Sequence, residues 1–356
     1  MPVSPFDHPL LSSLLGDGEV AACFSLEAEL DGMLAFERAL AEAQGEEGVI
    51  PQQAAAAISV AISGLAPDLD ALRAGMAKDG VAVPELVRQI RRACGPEHGG
   101  HVHFGATSQD VIDTGLALRL ARVSDILSAR LDGLVAQLDA LNARDGEAGV
   151  MAHTRMQAAI PVPASRKIRS WRDPLFRERQ RLAEIAGEVR VLTFGGAAGT
   201  LEKLGEAAGP VTHRLAQALG LRALPRPRHS ERDGIVAFAS WLSLVAGSLG
   251  KLGQDVALAA QSEVGEIRLA SGGGSSAMPH KVNPVDAETL VALARFNATL
   301  LSGMHQSLVH ENERSGAAWT LEWMLLPQMT VATGAATLTA ARLLDKIAFV
   351  ARGARG

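Results

Sequence analysis

Three polar segments stand out for what their side chains could do. The first is SGGGSSAMPHKVNP, residues 271–284, which lies between two apolar, helix-patterned stretches. Small residues and two adjacent serines, Ser275 and Ser276, cannot pack a core, and three consecutive glycines give the chain freedom to move. Lys281 and Asn283 add a cation and an amide where a helix begins, and backbone N–H groups there favour anions. Together they suit a mobile lid that closes over an anion and carries a hydroxyl to it, the alternative being a solvent-facing glycine-rich loop. A phosphate-binding loop is disfavoured, because the order of Gly, Lys and Ser does not match GxxxxGK[ST] and no strand precedes it. The second segment, HFGATSQDVIDT (103–114), groups Thr107, Ser108, Gln109 and Asp110 at a helix start. Helix capping accounts for one such residue, not for four. The third, HTRMQAAIPVP (153–163), carries His153, Thr154 and Gln157. His98, His101 and His103 are close in sequence, but no cysteine or carboxylate beside them completes a ligand set, so no metal is assigned.

The elements that must position these segments are helices. Leu116, Leu120, Val123, Leu127, Leu131, Leu134, Leu138 and Leu141 recur every three or four residues, as do Ile235, Phe238, Leu242, Val245, Leu249, Leu252 and Val256. Less regular patterns cover 164–191, 284–309 and 319–348. The class is therefore all-α: a small N-terminal helical domain over 1–104, broken by Pro51, Pro67, Gly80 and Pro84, followed by a central bundle of five long helices over 105–356. A helix from Ile112 to Asn142 would run about 45 Å at ~1.5 Å per residue. It would hold the 101–110 and 153–157 clusters at opposite ends of the bundle. One site drawing on both needs more than one copy of the chain, which predicts an obligate homo-oligomer with shared sites.

Bulk properties restrict the class of function. The chain has 356 residues, 47% of them hydrophobic, enough for a large core. A net charge of −5 disfavours a nucleic-acid partner. Two cysteines, Cys23 and Cys94, do not make a disulfide framework, and the N-terminus has no basic segment ahead of an apolar one. With no apolar run seen to approach ~18–20 residues, no membrane span is expected, and the cytoplasm is the expected compartment.

These motifs together resemble the fumarase/aspartase superfamily. GSSAMPHKVNP matches its GSSxMPxKxN signature at every fixed position. GATSQDVIDT, HTRMQAAIPVP, FGGAAGTLEKLG (194–205) and the SERD segment resemble the 3-carboxy-cis,cis-muconate cycloisomerases within it, ahead of adenylosuccinate lyase as the alternative. The resemblance implies chemistry at a carbon beside a carboxylate, without metal or cofactor. It implies Ser275 as the group that exchanges the α-proton and His153 as the acid or its partner. It also implies substrate contacts from His103, Thr107, Ser108, Gln157, Ser276, Lys281 and Asn283, and carboxylate clamps at Arg232 in RPRHSERDGIVAF and Arg314 in HENERSGAAWTLEW. The implied substrate is a small tricarboxylate lactonised within one molecule during protocatechuate degradation, and the implied assembly is a tetramer. Two departures are expected to matter. Relatives carry a third helical domain for which this sequence has no counterpart, and Val282 stands where many cycloisomerases have arginine.

Overall fold

The computed structural model describes residues 4–274, 278 and 281–350. Six helices come first: α1 (Ser12–Leu15), α2 (Gly18–Ala22), α3 (Leu26–Glu46), α4 (Gln52–Ser63), α5 (Leu69–Asp79) and α6 (Val83–His98). The long helices are α7 (Ser108–Asp145), α8 (Ser165–Val189), α10 (Asp233–Ala259), α11 (Val285–Gln306) and α12 (Gly316–Leu344), with the shorter α9 (Ala208–Leu219) between α8 and α10. The leucine seam predicted for α7 is buried, Leu120, Leu127, Leu131 and Leu138 at no more than 1% exposure, because its 3–4 spacing keeps one stripe facing α8 and α12. The fold is mostly all-α, as the spacing predicts.

Two hydrophobic cores organise the chain. The bundle core runs along α7, α8, α10, α11 and α12 and takes in Val20 and Cys23 from the N-terminal segment. The second core joins α3, α4 and α6 to the N-terminal third of α7, to the 192–221 segment with α9, and to Trp319. Both cores therefore interleave across residue 104. The N-terminal helices bury their apolar faces partly on α7 and α9, which lie later in the chain.

Helix α10 carries enough length and hydropathy to cross a membrane, against the expectation from its apolar runs alone. Its apolar residues are core instead: Phe238, Leu242, Val245, Leu249 and Leu252 are all fully buried among the neighbouring helices. Two small antiparallel hairpins complete the fold, β1 (Gly149–Thr154) with β2 (Gln157–Pro163), and β3 (Ile267–Leu269) with β4 (Ile347–Phe349). The first occupies the HTRMQAAIPVP segment, and Thr154 pairs with Gln157 across a two-residue turn. Arg155 and Met156 both take positive φ there, 49° and 65°, the conformation of a type I′ turn. Glycine or asparagine is the usual sign of such a turn, and its absence here hides the hairpin in the sequence.

Candidate active site

The start of α7 is fixed by a capping box: the Thr107 side chain accepts from the backbone amide of Asp110, and the Asp110 carboxylate accepts from the Thr107 N–H at 3.0 Å. Asp110 is fully buried and does more than cap. It also accepts from the Gly195 and Gly196 amides, each at 2.9 Å, and pairs with His229 Nε2 at 2.7 Å. The glycine segment 194–205 thus serves a tight approach of backbone to the start of α7. Gly196 sits at φ 69°, and a Cβ there would lie 2.6 Å from the Gly105 carbonyl oxygen.

In the same first turn of α7, the Gln109 carboxamide donates to Asp113 at 3.0 Å and to the His229 carbonyl at 2.8 Å. Its oxygen accepts from Arg314 Nε at 2.8 Å. The outer nitrogens of Arg314 make only long contacts, 3.3 Å to the Thr107 hydroxyl and 3.5 Å to the Gly196 and Ala197 carbonyls. An exposed guanidinium is therefore held by its inner edge beside a hydroxyl, with its outer edge turned to open space. Such an edge can take a carboxylate bidentately.

Arg232 is placed differently from the carboxylate clamp expected of it. It is 3% exposed, and its N–H groups go to Asp113 and Glu322 in two paired interactions, with closest contacts of 2.6 Å to each. Burial would lower the pKa of this guanidinium, but the two carboxylates override it and hold the cation well above the ordinary arginine value. Trp319 Nε1 adds a bond to Asp113 at 3.0 Å, and His310 lies 3.5 Å from Glu322. Arg232 thus pins α7 to α12, and on the α7 side it connects through Asp113 and Gln109 to Arg314.

His103 stands just before α7 at φ 63°, its Nδ1 2.5 Å from Glu37 on α3. Burial works to lower its pKa; the charge and hydrogen bond of Glu37 outweigh that and raise it, favouring a protonated ring. Ser108 is half-buried in the first turn of α7.

The remaining sequence-predicted residues that the structure describes are at the other end of the bundle. Helix α7 spans 38 residues, about 57 Å at ~1.5 Å per residue. At its far end the hairpin hangs from Glu266, which accepts the Met151 amide at 2.6 Å. His153, Thr154 and Gln157 are exposed on it, and His153 Nδ1 lies 3.1 Å from the Met151 carbonyl. If that contact is the Nδ1–H donating, Nε2 is the free nitrogen. His153, Thr154 and Arg155 border an open cleft of about 810 Å³ together with Lys167 and Lys251. The described flanks of the 271–284 segment belong to the same end: Gly273 and Asn283 exchange backbone hydrogen bonds at 3.0 and 2.8 Å, and Lys346 links to Asp286 at 2.8 Å. Lys281 and Val282 are exposed, Asn283 half-buried. Ser275 and Ser276 lie outside the described residues.

Glu37, Asp113, His229 and Glu322 are the members that sequence reasoning missed. Asp113 and Glu322 left a signal, since each is a charge inside a buried apolar pattern, Glu322 between Trp319 and Trp323. Such charges are rarely buried unless paired. Glu37 and His229 left none.

Comparison with known proteins places the chain as a whole in a family. A family profile described as Lyase matches residues 18–296. A 3-carboxy-cis,cis-muconate cycloisomerase of Pseudomonas aeruginosa is 42% identical over 330 residues, covering 91% of this chain and 72% of that protein. One of Pseudomonas putida is 40% identical, covering 86% and 74%. The crystal structure of the 3-carboxy-cis,cis-muconate lactonizing enzyme from Pseudomonas putida superposes with a TM-score of 0.90 at 37% identity, covering 96% of this chain and 77% of that one. The chain spans about three quarters of the length of these relatives. It is an enzyme of the fumarase/aspartase superfamily of lyases, to which both its sequence and its helical bundle belong.

Proposed function

We propose that the chain is a 3-carboxy-cis,cis-muconate cycloisomerase, forming 4-carboxymuconolactone by intramolecular addition. The observation that carries the reading is the Arg314–Gln109–Thr107 arrangement, an exposed cation fixed beside a hydroxyl at the entrance of a buried ionic network. The likeness to cycloisomerases over 91% of the chain supplies the substrate class.

In the reaction one substrate carboxylate oxygen attacks the conjugated double bond. A C–O bond forms, the electron pair moves to the carbon beside another carboxylate, and that carbon takes a proton; nothing leaves. The site must hold three carboxylates in the attacking conformation, which converts the addition into a preorganised intramolecular event. Arg314, protonated His103 and Lys281 are the cations, and Thr107, Ser108, Gln157, Ser276 and Asn283 the neutral donors, that would hold them. Donors fixed before the reaction stabilise the charge that develops beside the α-carbon. Ser275 exchanges the α-proton, accepting it in the reverse direction, with His153 as the acid or its partner. The reading invokes no metal ion and no cofactor.

The described members of this set lie at both ends of a helix of 38 residues, so the site is composed from several copies, as in a tetramer of antiparallel bundles. Exposed Phe176, Leu244, Met324 and Ile160, between 39% and 64% accessible, supply apolar surface of the kind an interface covers. We place the enzyme in the cytoplasm. The test is turnover of 3-carboxy-cis,cis-muconate in the presence of chelator, with adenylosuccinate in parallel and the product identified by NMR. Lactone from the muconate is the expected result; cleavage of adenylosuccinate without lactone would overturn the choice of substrate.

A further inference from the structure

A cavity of about 250 Å³ lies away from the bundle-end site, where α3 and the α5–α6 turn meet α7 and α12. Ile112, Leu116 and Arg119 line it from successive turns of one face of α7, opposite Met33 and with Trp323 and Leu326 from α12. Most of this lining is apolar. The charged exceptions are Glu29, Glu322 and Arg119; Glu322 is already paired with Arg232, and Arg119 is the one cation among them.

The Arg119 guanidinium lies 5.7 Å over the Phe24 ring, and its Nε donates to the Gly115 carbonyl at 3.3 Å. Its two outer nitrogens make no hydrogen bond or ion pair among the described residues, unlike those of Arg130 or Arg232, which close on carboxylates. Glu29 lines the same cavity but acts only through space. Burial depresses the Arg119 pKa more than Glu29 restores it, the signature of a cation short of a partner. A guanidinium in this state suits a carboxylate, which it can hold with two parallel N–H bonds. The volume falls below the ~300 Å³ at which drug-sized ligands begin to fit, so the occupant must be small.

We propose that this cavity binds a small amphipathic monocarboxylate, its carboxylate on Arg119 and its apolar body against Met33, Ile112, Trp323 and Leu326. The site is distinct from the one at the start of α7, yet it touches the same framework. Glu322 lines the cavity and also holds Arg232, whose second partner Asp113 carries Gln109 and through it Arg314. An occupant would rest against the inner end of the chain of contacts that fixes Arg314.

Benzoate is the probe, with benzyl alcohol as its uncharged counterpart, titrated into the full chain by calorimetry and saturation-transfer NMR. The expected result is saturable benzoate binding, at least tenfold weaker for the alcohol, at least tenfold weaker in Arg119→Met, and kept in Arg314→Ala. Ala82→Trp, which fills the cavity from the opposite wall and leaves Arg119 in place, gives the same loss and covers the case in which Arg119→Met does not fold. Binding as tight as the parent's in Arg119→Met or in Ala82→Trp, loss in Arg314→Ala instead, or no saturation at all would each overturn the proposal. No turnover enters the measurement, so its outcome does not depend on which substrate the enzyme uses.

Discussion

Replacing Arg232 by methionine separates a structural pin from a substrate clamp. The side chain is 3% exposed and neutralises two carboxylates, Asp113 at 3% and Glu322 at 1% side-chain exposure. Removing the cation leaves both acids buried without a counter-charge, and breaking a buried pair in this way costs about 3–5 kcal/mol. Trp319 and Gln109 still donate to Asp113, which argues for the lower half of that range. For chains of 150–250 residues each kcal/mol moves the melting temperature by about 2–4 °C, so a drop of at least about 6 °C is expected, somewhat less if the longer chain unfolds as one unit. The assay is thermal unfolding followed by circular dichroism at fixed protein concentration, because association would make the midpoint concentration-dependent. Arg314→Ala, at an exposed position with long contacts, is the control and should change the midpoint by no more than about 1 kcal/mol equivalent while depressing turnover. An Arg232→Met protein that melts with the parent and shows only a raised KM would refute the reasoning and restore Arg232 as a clamp.

Three further outcomes follow from the same geometry. His103 has a folded-state pKa above its unfolded value, so its stabilisation is complete below pH ~6.5 and lost as pH rises through the raised pKa. The melting difference between the parent and His103→Gln should accordingly shrink from pH 6 to pH 9, and a difference that grows would contradict the Glu37 pairing. Glu178 is buried, which raises its pKa despite Arg181, so its ionisation works against folding at neutral pH. Glu178→Gln should stabilise the protein near pH 7, with the gain vanishing on acidification as the parent carboxyl protonates; a gain independent of pH would point to packing instead. Gln109→Leu removes the bond that orients Arg314 and should raise KM by about tenfold, since a hydrogen bond to a charged group is worth ~1.5–3 kcal/mol. In a double-mutant cycle that effect should disappear in an Arg314→Ala background, and additive losses would show that Gln109 acts elsewhere.

The long helices were legible because their apolar residues recur at helical spacing for many turns, and the burial of the α7 leucines follows from that spacing alone. The distance between the two polar clusters was legible for the same reason, as helix length follows from residue count. Local chemistry was legible where it was local: Thr107 and Asp110 cap α7 within four residues. Long-range pairing was not. Glu37 meets His103 across 66 residues, and Arg232 meets Asp113 and Glu322 across 119 and 90. An arginine in a polar segment reads as an exposed cation until the fold supplies two acids on either side of it. The hairpin at His153 escaped because its turn lacks the glycine or asparagine that normally marks positive φ.

The central claim is that the polar clusters at the two ends of α7 serve one site built from different copies of the chain. Subunit mixing tests it directly. His153→Ala carries its lesion at the hairpin end of the bundle and Arg314→Ala at the other, and each is expected to be inactive alone while remaining folded. After the two are mixed, dissociated and reassembled, some sites in the hybrids draw both intact residues from different copies, and turnover of 3-carboxy-cis,cis-muconate should reappear. Hybrids that form, as judged by mass, and stay as inactive as their parents would contradict the shared site.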